Sequence, residues 1–571
     1  MKHFKLALAG LLRHRHPAEI AADLRRAKAK GYTGIWVEND YVARGVAHET
    51  QFGNNWKLFD IFDFTLGRTR RQYGDYLRQL CALCQRYKLE VYVSFWMPRV
   101  NPEFLAYLRK HHPRAIGRSD SFHAKDVPCL CTCEAGEGLA VLDRMVKQFM
   151  RDFPQVRGLK IATEDNHALN CASNCPHAFG TSRARHAANM FATVQRAMAA
   201  VRPEAQLLLY PWFWSGGYQK EILAQLTDNF VVVTKMEQGA TQSLEMAAPS
   251  EPIFDSSIVA DKPGAPFIEW VKRVGPERIV DMVAVGTGID DFFLANPPYP
   301  GRLYRRFRHL AKHGVRRILD FECGGHCEGS GEEAVALFDR YPTVSEPVFL
   351  EKLAARMYRS APARRAAIAG WQAFDDGFGK LPIGLGETGN PGYTGRFGFA
   401  WSMCIATPLL EGLFGGERQH AIHWFSPYNF FTHQSAARLE FHFLQVLGRW
   451  EEAARHLAVA AALDGHSTAS DREAIAAQAH LLSVRSVLHW CVGAQLAGAR
   501  SQPNIFDELM RAEIALTAEF VKLREAHPWI WDNNCWHPDR TPLSQRGIAP
   551  GLAKHTDTFR AKLAVMRTAG E

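Results

Sequence analysis

RGLKIATEDNHALNCASNC, residues 157–175, is the stretch whose reading decides the fold. A short apolar run, Leu159, Ile161 and Ala162, stops at two adjacent carboxylates, Glu164 and Asp165, and Asn166, His167, Cys171 and Cys175 follow. An apolar run this short, bounded by polar residues, reads as a buried strand. Acidic side chains just past such a strand, in a chain alternating strands with helices, stand where (β/α)8 barrels carry their chemistry. The plainer alternative is a pair of acids capping the next helix.

Outward from this stretch, strand-like runs recur at 4–9, 32–37, 89–95, 206–210, 230–234, 279–285 and 315–319, with 159–163 among them. Helical spacing fills the intervals: Ile20, Leu24 and Ala27 share one face before a stop at Gly31, and Tyr73, Tyr76, Leu80, Leu83 and Tyr87 share another. Strands alternating with helices predict a parallel sheet closed as a (β/α)8 TIM barrel. A doubly wound sheet is the alternative. Against it, the first strand lacks a Gly-rich phosphate turn, and polar tips follow nearly every strand rather than one switch point.

From about residue 342 strand signals stop, and 349–357, 361–374, 436–463, 471–496 and 505–525 read as helices. At 571 residues the chain is too long for one core. The expected division is a catalytic barrel over 1–342 and an all-helical C-terminal domain over 343–571. Loops of the latter, rich in Asn390, Tyr393, Trp424 and Tyr428, are expected to reach the barrel mouth.

Bulk properties exclude several classes. The formal charge of +9 is spread along the chain rather than clustered, which argues against nucleic acid as partner. No run approaches the ~20 apolar residues of a membrane span. The apolar stretch at 4–12 lacks a small-residue cleavage site and runs into basic residues, so it reads as the first strand rather than a leader. Twelve cysteines in that context imply reduced thiols and a cytoplasmic setting. A homo-oligomer is compatible with all of this.

The strand tips offer Glu38, Asp40, Glu164, Asp165, Glu237, Asp320 and Glu322 beside Trp36, Trp96, Trp212 and Trp214. Glycoside hydrolysis needs this combination: one carboxylic acid protonates the leaving oxygen, and a second carboxylate acts as base or nucleophile. Apolar sugar faces stack on indole rings, while hydroxyls bond to Asp, Asn, His and Arg. The expected catalytic residues are Glu164, Asp165 and Glu237. Glu38, Asp40, Trp96, Asn166, His167, Trp212, Trp214, Asp320, Glu322, Tyr393 and Trp424 are expected to bind substrate. Each has a plainer reading, as rim salt bridge, loop acid or core aromatic. No cofactor is expected, and no metal in catalysis, because no H-E-x-x-H-like ligand set occurs.

The chain resembles the (β/α)8 exo-glycosidases related to family 20 β-hexosaminidases and family 67 α-glucuronidases, including relatives with helical C-terminal regions. The resembling parts are KIATEDN with its trailing cysteines, the unit RRQYGDYLRQLCALCQRYKLEVYVSFW, and RRAAIAGWQAFDDGFGKLP in the helical part. Family 20 enzymes carry an Asp-Glu pair after the fourth strand, with Glu as acid and Asp steering the substrate acetamido group. Here the order is Glu164-Asp165, which leaves open which of the two is the acid. The resemblance implies an exo-acting glycoside hydrolase for a hexosaminide, hexoside or uronide. A carbohydrate lyase or isomerase on the same barrel, or a non-catalytic carbohydrate-binding protein, are the competing readings.

Cys129, Cys131, Cys133, Cys171, Cys175, Cys323 and Cys327, with His326, are all expected in loops at one barrel face. Their C-x-C and C-x3-C spacings match no common zinc module, so buried thiols are the first reading. A structural zinc held by four of them is the alternative.

Overall fold

The structure is a computed structural model. It describes residues 3–11, 17–37, 62–63, 68–97, 100–119, 127–162, 171–172, 174–211, 216–240, 261–283, 285, 296–320, 328–381 and 433–499, with short pieces between 508 and 527.

Eight parallel strands close into a barrel. In barrel order they are β1 (Leu6–Leu11), β2 (Gly34–Val37), β5 (Glu90–Trp96), β8 (Val156–Ala162), β9 (Gln206–Tyr210), β10 (Phe230–Thr234), β11 (Ile279–Val283) and β12 (Arg317–Asp320), which returns to β1. The order follows the sequence, as right-handed βα units around one axis require. All eight expected strands are present, β9 and β10 with the expected bounds. The doubly wound alternative is excluded by closure.

Two small antiparallel ribbons were not expected from the sequence. β3 (Phe62–Asp63) pairs with β4 (Arg68–Thr69), and β6 (Ile116–Ser119) pairs with β7 (Val127–Leu130). The second ribbon lies in the excursion between β5 and β8.

Helices cover the barrel wall: α1 (Pro17–Ala29), α2 (Arg71–Arg86), α3 (Pro102–His111), α4 (Gly138–Asp152), α5 (Arg183–Val201), α6 (Gly216–Gln225), α7 (Ala265–Val274), α8 (Pro300–Lys312) and α9 (Ser330–Arg340). Their ends are written locally. After α1, Gly31 takes φ 95°, a left-handed conformation that glycine adopts without Cβ strain. Thr33 then donates to the Ala7 carbonyl at 2.8 Å and starts β2 in register. Asn101 caps α3 by accepting from the Phe104 amide at 2.7 Å, with Pro102 in the first turn.

The C-terminal helices are α10 (Glu346–Met357), α11 (Ala361–Phe378), α12 (His433–Leu463) and α13 (Thr468–Ala499). Phe374 and Trp450 stack with centroids 4.5 Å apart, and Trp450 Nε1 donates to the Phe374 carbonyl at 3.1 Å, which locks α11 to α12. Two polar clusters join this layer to the barrel. Arg302 Nε and Arg305 Nη2 of α8 each donate to Asp375 at 2.6 Å, and Arg305 Nη1 reaches Glu346 at 2.6 Å. Glu473, fully buried on α13, accepts from Asn296 Nδ2 at 3.0 Å, the Ser330 amide at 2.7 Å and Trp371 Nε1 at 2.8 Å. One continuous apolar core runs from the helices behind the barrel wall into the C-terminal helices.

A candidate active site at the barrel mouth

Side chains alternate across each strand, so one parity lines the barrel lumen and the other meets the helices. The lumen is filled by Leu6, Leu8, Trp36, Tyr92, Ala162, Leu208, Tyr210, Val231, Val233, Val280, Met282 and Leu319. Lys160 shares its parity with Ala162 and stands opposite Ser94 of β5 in register. Its ammonium lies 4.1 Å from the Trp36 ring centroid and 4.9 Å from that of Tyr210, with the residue 1% exposed. Beneath the mouth the packing therefore changes from aliphatic to a layer of Trp36, Ser94, Lys160 and Tyr210. A buried ammonium between two aromatic faces is favourable through the ring quadrupoles, ~2 kcal/mol when desolvated.

Lys160 was missed in the sequence. The available signal was a single charged residue at an inward position of an otherwise apolar strand. Charges in such places are held for a reason other than packing.

β8 ends at Ala162, two residues before Glu164. Glu164, Asp165, Asn166 and His167 lie outside the described residues, as do Glu38, Asp40, Trp212, Trp214, Glu322, Tyr393, Trp424, Asn390 and Tyr428. Trp96 ends β5, and its backbone alone is described.

Two expected site carboxylates are described, and both turn away from the lumen. Asp320 shares parity with Ile318, which packs in the helix-facing core, while Leu319 between them faces inward. Its carboxylate accepts from Tyr32 Oη at 2.6 Å and from the Val285 amide at 3.0 Å, tying β12 to β2 and β11. Its carbonyl accepts from Trp36 Nε1 at 2.8 Å, which fixes the indole at the lumen wall. Asp320, expected to bind substrate, thus has its carboxylate buried against Tyr32 and the Val285 amide, while its carbonyl positions the Trp36 ring.

Glu237 sits in the turn after β10, fully buried, ion-paired with Arg306 of α8. The same guanidinium forks onto Asp281 of β11, Nε to Oδ2 at 3.0 Å and Nη2 to Oδ2 at 2.8 Å. Asp281 lies between lumen-facing Val280 and Met282, so this cluster occupies the layer between barrel wall and helices. Asp281 Oδ1 also accepts from the Met236 amide at 2.9 Å and fixes the turn that bears Glu237. Burial pushes the Glu237 carboxyl up to about 8, with Arg306 opposing and Asp281 reinforcing. One guanidinium between two fully desolvated carboxyls leaves one of them protonated at neutral pH. Glu237, expected among the catalytic residues, is thus held in a buried ion-paired cluster behind the barrel wall.

The cysteines on this face converge. Cys129, Cys131, Cys133, Cys171 and Cys175 form one buried group with Ala178, joining the β6–β7 ribbon to the segment before α5. Cys323, Cys327 and His326 lie outside the described residues.

A closed eight-stranded parallel barrel with a helical C-terminal region places the chain in the (β/α)8 fold class. No protein-family model matches the chain, and no curated protein matches it. Among solved structures it is similar to a GH138 enzyme targeting pectin rhamnogalacturonan II, with TM-score 0.52 and 9% identity over 99% of this chain and 67% of that one. It is also similar to an O-GlcNAc hydrolase of Thermobaculum terrenum, with TM-score 0.43 and 8% identity over 100% and 98% of the two chains. A third likeness is to a GH20 exo-β-N-acetylglucosaminidase of Vibrio harveyi, with TM-score 0.37 and 9% identity over 62% and 56%. At such identities the first likeness establishes the fold alone.

Proposed function

We propose that the chain is a glycoside hydrolase, exo-acting on a hexosaminide, hexoside or uronide, with Glu164 or Asp165 as general acid. The observation that carries this reading is β8, a lumen-lining strand of a closed barrel that ends two residues before the Glu164-Asp165 pair. Catalysis on this fold sits at the C-terminal ends of the strands. The layer of Trp36, Ser94, Lys160 and Tyr210 gives that mouth an aromatic and polar floor suited to a sugar. The GH138 enzyme that shares the fold supports the class by analogy.

In this reading one of the pair, held protonated by its neighbour's charge, protonates the glycosidic oxygen, and the other orients the substrate. The second carboxylate comes from Glu237, Asp320 or Glu322, and the buried polar contacts of Glu237 and Asp320 favour Glu322. Its separation from the acid sets inversion or retention.

A second reading, a carbohydrate lyase or isomerase, draws on Lys160 and Tyr210, which bring an amine and a phenol into the lumen. A panel of aryl hexosaminides, hexosides and uronides, with the products identified, separates the two. Release of free sugar and phenol supports the hydrolase. An unsaturated or isomerised sugar, without hydrolysis, replaces it with the second reading.

A further inference from the structure

We propose that Cys131, Cys133, Cys171 and Cys175 form a structural site for one tetrahedral divalent ion of the zinc class. It would tie the β6–β7 ribbon to the segment that follows the Glu164-Asp165 pair.

The four sulfurs lie within 4.8 Å of one another, and all four residues are buried. A zinc–thiolate bond of ~2.3 Å in tetrahedral geometry sets sulfurs ~3.8 Å apart, so a small contraction completes the shell. A multi-iron cluster, with its irons and bridging sulfides inside the thiolate shell, needs a wider cage. Zinc also suits a four-thiolate set on grounds of ligand softness.

Two further observations separate this group from thiols packed as small hydrophobes. First, the backbone leaves room for the sulfurs. A Cβ on Gly117 would collide with Cys171 Sγ, one on Gly136 with Cys131 Sγ, and one on Gly138 with the Cys131 carbonyl. Three glycines, from the β6–β7 ribbon and the turn into α4, thus make space for two cysteines. Second, polar partners already orient the ligand loops. The Thr132 amide donates to Cys171 Sγ at 3.3 Å, and the Cys171 amide donates to Thr132 Oγ1 at 3.3 Å. His186 of α5 places Nδ1 2.8 Å from the Cys171 carbonyl and Nε2 3.5 Å from Cys133 Sγ. Amide-to-sulfur and histidine contacts of this kind fix thiolates beyond the ligand shell itself.

Four desolvated sulfurs cannot all ionise side by side without a cation among them, and a divalent ion permits it. Cys129, its Sγ 3.9 Å from Cys171 Sγ, stands as a fifth sulfur beside the set.

The site stands independently of the reaction at the mouth. Its consequence there is mechanical. Cys171 follows Asp165 by six positions in the sequence, so an ion at this point anchors the chain close to the carboxylate pair.

The test is metal analysis of the full-length protein, purified under reducing conditions without added metal, together with thiol titration. One zinc per chain is expected, with four thiols protected from an aromatic disulfide reagent and released in step with the metal by a mercurial. Cys133→Ser and Cys175→Ser should each lower the zinc stoichiometry at least severalfold, whereas Cys491→Ser in α13 should not. The parent protein with zinc replaced by cobalt should show tetrahedral thiolate-to-cobalt absorption, a readout that survives if the serine variants fail to fold. A parent chain that holds no stoichiometric metal, that carries acid-labile sulfide with iron, or that pairs these cysteines as disulfides overturns the proposal.

Discussion

The Lys160 ammonium lies 4.1 Å from the centre of the Trp36 ring, inside the barrel and below its mouth. Trp36 is fixed in turn by its indole hydrogen bond to the Asp320 carbonyl. A charge here costs desolvation energy, and replacing a buried charge by an apolar group of similar volume is often neutral or stabilising. Lys160→Met is therefore expected to keep or raise the melting temperature while lowering kcat/KM at least ~10-fold, about 1.4 kcal/mol of transition-state stabilisation. Thermal unfolding and kinetics on one preparation check it. Unchanged kinetics would mark Lys160 as a packing residue.

The Glu237–Arg306–Asp281 cluster makes stability depend on pH. Glu237 has its folded pKa raised by burial to about 8, above its ordinary 4.5, so the folded state holds a proton that the unfolded state releases between those values. Its contribution is present at low pH and is lost as pH rises through about 8. The unfolding free energy should fall across that window by at most ~1.4 kcal/mol per pH unit from this group. Glu237→Gln should flatten the dependence. Arg306→Met, which strands two buried carboxyls, should destabilise by ~3–5 kcal/mol. Denaturant titrations at several pH values read both, and an unaltered slope in Glu237→Gln would contradict the assignment.

Glu473 of α13 accepts from three donors, Asn296 and the Ser330 amide on the barrel side and Trp371 of α11 within the C-terminal helices. Truncation leaves all three buried without their acceptor, at ~1–3 kcal/mol per group before relaxation. Glu473→Ala should cost several kcal/mol, and Glu473→Gln less, because its one oxygen still accepts from Asn296 and the Ser330 amide while its amide nitrogen faces the Trp371 donor. If the boundary near 342/343 separates two units as we propose, Glu473→Ala should also open that region to limited proteolysis before the barrel. Cleavage that begins within the barrel helices would count against the division.

The barrel was legible because its strands are short apolar runs separated by helical spacing, and β9 and β10 even begin and end where the pattern does. The side a tip residue faces was less legible. Asp320 could have been placed from its parity with Ile318, but Glu237 lies beyond the strand in a turn whose direction Asp281 sets through the Met236 amide. Lys160 was missed, although a lone charge at an inward position of an apolar strand was a signal for it. The cysteines were expected at one barrel face, but which of them meet was not legible, since the group forms only when the β6–β7 ribbon packs on a segment some forty residues further along, a tertiary contact without a local pattern.

The central claim is that the Glu164-Asp165 pair supplies the general acid. General acid catalysis contributes ~10²–10⁴-fold, and Glu164→Gln and Asp165→Asn remove the proton while keeping size and polarity. The decisive measurement is kcat/KM of each variant on the natural linkage and on an activated aryl glycoside of the same sugar, whose leaving group needs no protonation. One variant should lose at least ~10²-fold on the natural linkage and much less on the aryl glycoside. Near-parental rates on the natural linkage for both variants would show that this stretch is not the active site.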